Sequence, residues 1–232
     1  MRNAAEGNKA KSRMPEIGEA VFDIGYLLFD LVAAIVFFVR ADGRTVFLLY
    51  GALALILGGG DAFHLLPRVS RALHGTTEKT EWRLGLGLAV SSVTMTVFYI
   101  LLMYIWKATF PGIALPAPIA VLVWGTALLR IAICLFPQNN WFRKEGSPRW
   151  SLFRNAPFIV TGVCLVVLYV MSGNANGYGL WRMAAAILIS FGCYLPVTIW
   201  AKKRPKIGML MIPKTCAYIW MIAMGLGLLS KI

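Results

Sequence analysis

Residues 45–68 read Thr45-Val-Phe-Leu-Leu-Tyr-Gly-Ala-Leu-Ala-Leu-Ile-Leu-Gly58-Gly59-Gly60-Asp61-Ala62-Phe63-His64-Leu65-Leu66-Pro67-Arg68. The run is apolar until Gly60 and, as a helix, long enough to cross a bilayer core, which takes roughly 20 residues. It then delivers an acid, an imidazole and a guanidinium in quick succession. On a helix Asp61, His64 and Arg68 stand at i, i+3 and i+7 and share one face, while three consecutive glycines let a neighbouring backbone come close. A charge at mid-bilayer costs about 2.5–3.5 kcal/mol on insertion scales, so such a stripe must be given partners or water. The stretch therefore reads as a membrane-spanning helix with an inward polar face, and that face marks a candidate site.

The rest of the chain agrees. Of its 232 residues 59% are hydrophobic and 14% charged, with a mean hydropathy of +0.69, which excludes an ordinary soluble domain. Apolar runs of spanning length fall near 16–39, 45–67, 84–106, 113–136, 153–172, 180–201 and 208–230. This predicts an all-α polytopic membrane protein with seven transmembrane helices in one domain, residues 16–232, preceded by a basic cytoplasmic tail, 1–15. The tail does not read as a cleaved signal, because the helix after it is full length, contains acids and lacks a small-residue cleavage pattern.

Charge sets the expected orientation. With the N-terminus inside, the cytoplasmic segments hold sixteen Lys and Arg and the outer segments five; Arg130 and Lys214 lie within helices, which accounts for all 23. The positive-inside rule then places the N-terminus inside and the C-terminus outside, in a cell membrane such as the bacterial inner membrane. Trp82, Trp106, Trp141, Trp150, Trp181 and Trp200 fall at predicted helix ends, where interfacial belts form. The net charge of +13 is split among four short inner segments, so membrane lipids with anionic headgroups at the cytoplasmic face, not nucleic acid, are the expected partners. Cys134, Cys164, Cys193 and Cys216 lie in apolar helices without CxxC spacing, which supports neither disulfide nor metal. No cofactor is implied.

The remaining polar residues gain meaning from depth. Glu16, Glu19, Asp23, Tyr26 and Asp30 form a stripe down helix one at steps of three and four. Pro67 removes a donor from the carbonyl of Phe63, freeing an acceptor beside Asp61 and His64. Hydroxyls such as Ser92, Thr96 and Tyr99 on helix three read mainly as packing groups. Arg130 on helix four cannot shed its proton and must pair or snorkel, and Lys214 on helix seven faces the same choice. Given the orientation, Glu19, Asp23, Asp61, His64, Arg130, Arg154, Asn155, Tyr194, Thr198 and Lys214 all fall in the cytoplasmic half, from six helices. They predict one polar chamber with Asp61, His64 and Asp23 as candidate catalytic groups. Glu19, Arg68, Arg130, Asn155, Tyr194 and Lys214 are its candidate ligand-binding groups, and no metal set is among them.

Gly60-Asp61, followed after a basic loop by Gly85-Leu86-Gly87-Leu88, resembles the lysoplasmalogenase-type membrane proteins. The resemblance covers helices two and three, less than a third of the chain. It implies a multi-helix hydrolase in which acidic residues take part in cleaving a vinyl-ether bond. Helix three here has no histidine, and after Glu81 the only acid is Glu145, so of that family's site only Asp61 carries over. The expected function is acid/base hydrolysis of a lipid or lipid-like substrate; the alternative is a transporter or channel for a small polar solute or ion using the same chamber. A retinal-type receptor would use Lys214, but helix three lacks the acidic counter-ion, and two histidines are too few for a three-histidine zinc hydrolase.

Overall fold

The computed structural model describes residues 2–75, 78–142, 146–201 and 204–232. Their secondary structure is helical, with no strand among them. In chain order the helices are α1 (Arg2–Val39), α2 (Thr45–His74), α3 (Glu78–Thr109), α4 (Ala117–Leu135), α5 (Pro148–Ser172), α6 (Arg182–Trp200) and α7 (Met211–Leu228). Short 3-10 turns at Pro137–Asn139, Ala175–Gly177 and Pro205–Leu210 join the later ones. Each of the seven contributes a stretch long and apolar enough to cross a membrane.

The elements extend beyond the predicted apolar runs where local chemistry favours it. The first helix begins at Arg2, so the segment expected as a separate tail continues it. Ala, Lys, Arg, Glu and Met are strong helix formers, and a helix already nucleated grows without a second nucleation penalty. Residues 16 and before are described here by backbone alone. α2 passes through Pro67 and ends at His74, where Gly75 takes φ +88°. α5 starts at Pro148, a residue suited to a first helical turn, with Ser147 Oγ accepting from the Trp150 amide at 3.5 Å.

Short connections make successive helices antiparallel, so the starts of α1, α3, α5 and α7 and the ends of α2, α4 and α6 share one end of the bundle. α2 packs most extensively on α3 and α1; α3 meets α5, α5 meets α6, α6 meets α7, and α7 returns to α1 and α2. α4 lies against the seam between α3 and α5. The end opposite the shared one is filled. Phe37, Phe47, Tyr50, Leu102, Met103, Trp106, Leu165, Leu168, Tyr169, Met183, Ile187, Met221 and Ile222 are each no more than 1% exposed. Phe37 stacks on Tyr50 at 5.1 Å, and Tyr169 Oη crosses to the Leu102 carbonyl at 3.0 Å. Because lipid tails are as apolar as these side chains, what holds this layer is close packing and not transfer out of water.

Candidate active site

The chamber begins at the α2–α3 contact. Proline at 67 leaves the Phe63 carbonyl without its helical donor, and Gly87 of α3 sits against it. A Cβ on Gly87 would lie 2.2 Å from that oxygen and 2.6 Å from His64 Cα. One turn earlier on α2, a Cβ on Gly60 would lie 2.0 Å from Thr94 Oγ1. Only glycine permits this approach, and it delivers Ser91 to Asp61: Ser91 Oγ donates to Asp61 Oδ1 at 2.8 Å. From the other side Tyr26 Oη donates to Asp61 Oδ2 at 3.0 Å. Each carboxylate oxygen thus accepts from a hydroxyl on a neighbouring helix, and neither accepts from His64. The Nδ1 of His64 is buried and without a hydrogen-bond partner among the described residues.

The α1 acids converge on α2. Arg68 Nη2 donates to Glu19 Oε2, and Arg68 Nε lies 4.0 Å from Asp23 Oδ2. Arg68 therefore consumes both acids, and Asp61 keeps only neutral partners. Asp30, farther along α1, is fully buried against Gly58, where a Cβ would come within 2.8 Å of its own Cβ. It lies outside the chamber.

The opposite wall is basic. Arg130 enters from α4, 2% exposed, with its guanidinium carbon 3.3 Å from the Phe158 ring centroid. Among the described residues it has no ion pair, and its burial shows that it does not snorkel, the two outcomes expected from sequence. Its Nε and Nη1 have no hydrogen-bond partner among the described residues. Lys214, 8% exposed, likewise has no ion pair among the described residues: its Nζ rests 4.7 Å from the Tyr218 ring and 5.5 Å from the Tyr194 ring. Arg154 lies 4.4 Å over Trp141 and donates from Nη1 to Asn139 Oδ1 at 3.1 Å. Asn139 in turn donates to the Ile133 and Phe136 carbonyls at 2.7 and 2.9 Å, closing the end of α4.

These walls enclose a cavity of ≈ 120 Å³ lined by Glu19, Asp23, Asp61, His64, Arg68, Arg130, Arg154, Tyr194 and Lys214, together with Ser91, Phe158 and Tyr218. A water takes about 30 Å³ of liquid, so several fit, and the polar lining can bind them. Asn155, expected among the ligand-binding groups, stands behind the wall: Tyr194 Oη donates to its Oδ1 at 2.9 Å, while its Nδ2 is buried and unpartnered among the described residues. Thr198 lines a neighbouring pocket instead. Below the chamber the rings of Phe98 and Tyr218 meet at 5.5 Å and those of Tyr99 and Phe158 at 5.0 Å, an aromatic floor above the packed far half.

Two groups that hold Asp61 were not singled out as site residues from sequence. Tyr26 lies on the acidic stripe of α1, and Ser91 shares the face of Gly87 and Thr94 at i, i+4 and i+7. A small-residue face opposite a glycine run is the signal that points to Ser91. Among the described residues no three His, Cys, Asp or Glu side chains cluster as a metal site would require. Comparison with known proteins finds no family model, no curated protein and no solved structure that matches the chain.

Proposed function

We propose that this protein is a membrane-embedded hydrolase that cleaves a lipid or lipid-like substrate by acid/base chemistry in the chamber. What carries the reading is that the chamber sits at one end: a polar cavity holding Asp61, His64 and the cations Arg130, Arg154 and Lys214, besides the Arg68 cluster, lies above an aromatic floor and a tightly packed far half. The far half carries a surface cavity lined by Arg44, Thr45, Leu49, Tyr104 and Lys107, and it shares no lining residue with the chamber. The sixteen-to-five division of basic residues turns the chamber toward the cytoplasm, where anionic headgroups gather on the same face. The resemblance of Gly60-Asp61 and the start of α3 to lysoplasmalogenase-type proteins points to the same class of reaction.

In this reading His64 takes a proton from a chamber water, the water oxygen bonds to the substrate as the bond to the leaving oxygen breaks, and the imidazolium returns the proton to that leaving oxygen. Asp61, held by Tyr26 and Ser91, is the fixed negative charge beside the imidazolium that results. Asp23 acts through Arg68, anchoring it, and is a positioning residue. Arg130 and Lys214 face the negative charge that develops as the bond opens. General base catalysis contributes about 10²–10⁴ in rate, so His64→Ala and Asp61→Asn should lower lipid turnover in proteoliposomes by that order while the helical fold survives. Full turnover in both variants, or solute uptake abolished while lipids stay intact, would sink the hydrolase and favour transport.

A further inference from the structure

We infer that the basic wall of the chamber is a phosphate subsite, and that the substrate's polar end carries a phosphate ester. As a statement about substrate this rests on the hydrolase reading; as a statement about binding it does not. The three chamber acids, Glu19, Asp23 and Asp61, all lie on α1 and α2, and the only ion pairs among the described residues join Glu19 and Asp23 to Arg68. Arg130, Arg154 and Lys214, from α4, α5 and α7, have no carboxylate within ion-pair distance among the described residues. The chamber is thus polarised, acid on one wall and base on the other.

Each of these cations is held by a ring, Arg130 by Phe158, Arg154 by Trp141 and Lys214 by Tyr194 and Tyr218. A ring face orients a cation without cancelling its charge, whereas a carboxylate would neutralise it. Nε and Nη1 of Arg130, itself 2% exposed, are buried donors without a partner among the described residues. Three converging cations exceed what a single carboxylate needs. They match the two charges and several acceptor oxygens of a phosphate, for which guanidinium groups are well suited. Arg154 also lines a second pocket of ≈ 460 Å³ with Arg71, Glu81, Asn139 and Trp141, at the same end of the bundle. A phosphate seated on Arg130 and Lys214 would share the cavity with Asp61 and His64.

The test is thermal unfolding of the purified full chain in neutral detergent, titrated separately with inorganic phosphate, a 1-acylglycerol 3-phosphate and the monoacylglycerol of the same chain length. The phosphate-bearing lipid should raise Tm and the monoacylglycerol should not. Lys214→Gln and Arg130→Gln should weaken the apparent affinity at least tenfold, Arg130→Lys should restore most of it, and Arg40→Gln, past the end of α1 and outside the chamber, should leave it within threefold. Stabilisation by inorganic phosphate alone would identify the bare oxyanion as sufficient; stabilisation only by the lipid would identify a headgroup with its chain, and both support the subsite. If Arg130→Gln does not fold, Lys214→Gln and Arg130→Lys carry the test. Equal stabilisation by the monoacylglycerol, or unchanged affinity in Lys214→Gln, overturns the subsite. Loss of that selectivity with hydrolysis intact leaves the hydrolase standing, and selective binding without hydrolysis does the reverse.

Discussion

Asp61 is held at both oxygens by hydroxyls that belong to other helices, and this makes its position a property of three helices at once. A hydrogen bond to a charged group contributes about 1.5–3 kcal/mol. Tyr26→Phe removes one such bond with almost no change in shape, and Ser91→Ala removes the other. Each should lower lipid turnover by roughly ten- to a hundredfold, since 1.4 kcal/mol is a factor of ten. A Tyr26→Phe protein with wild-type turnover would show that the carboxylate's placement does not matter to the reaction. Sequence picks out Asp61, His64 and Arg68 because ionisable groups in an oily helix are rare. It passes over Ser91 because a hydroxyl bonds its own backbone as readily as a neighbour, as Ser92 does to the Leu88 carbonyl at 2.7 Å.

At the scale of elements, the three consecutive glycines of α2 have three different surroundings. Gly58 meets Asp30 of α1, Gly60 meets Thr94 of α3, and Gly59 faces open space. Gly87 closes the other half of the α2–α3 contact against backbone, which cannot rotate away. Gly87→Ala should therefore destabilise the bundle by about 1–3 kcal/mol, the range for overpacking. Gly59→Ala should be neutral or stabilising by up to about 1 kcal/mol, because it gains helix propensity and meets nothing. Thermal unfolding in detergent distinguishes them, and equal stability of Gly87→Ala and wild type would contradict the close approach. The glycine run is visible in sequence; which glycine meets which helix depends on rotation about the α2 axis, and that is set only when α1 and α3 dock.

For the whole molecule, the ring of helices closed by α7 brings groups 195 positions apart, Glu19 and Lys214, to one cavity. The orientation of that cavity is a separate question, for which the division of charge supplies an expectation to test. In a background free of the four cysteines, a membrane-impermeant maleimide added to intact cells should label Arg40→Cys at the far end and spare Arg71→Cys at the chamber end until the cells are opened. The opposite pattern would turn the chamber outward and remove the cytoplasmic reading.

Residue type and spacing alone determined that the chain is a bundle of seven apolar helices, because burying a backbone in lipid leaves helix as the economical solution and the length of each run follows from bilayer thickness. Antiparallel succession then put the deep charges at one end. Tertiary structure decided how those charges are partnered: Arg68 takes the α1 acids, Asp61 takes two hydroxyls, and Arg130 and Lys214 take aromatic faces. Pairing depends on distances of a few ångströms between helices far apart in sequence. Periodicity gives the face a side chain lies on, but only packing gives what stands opposite.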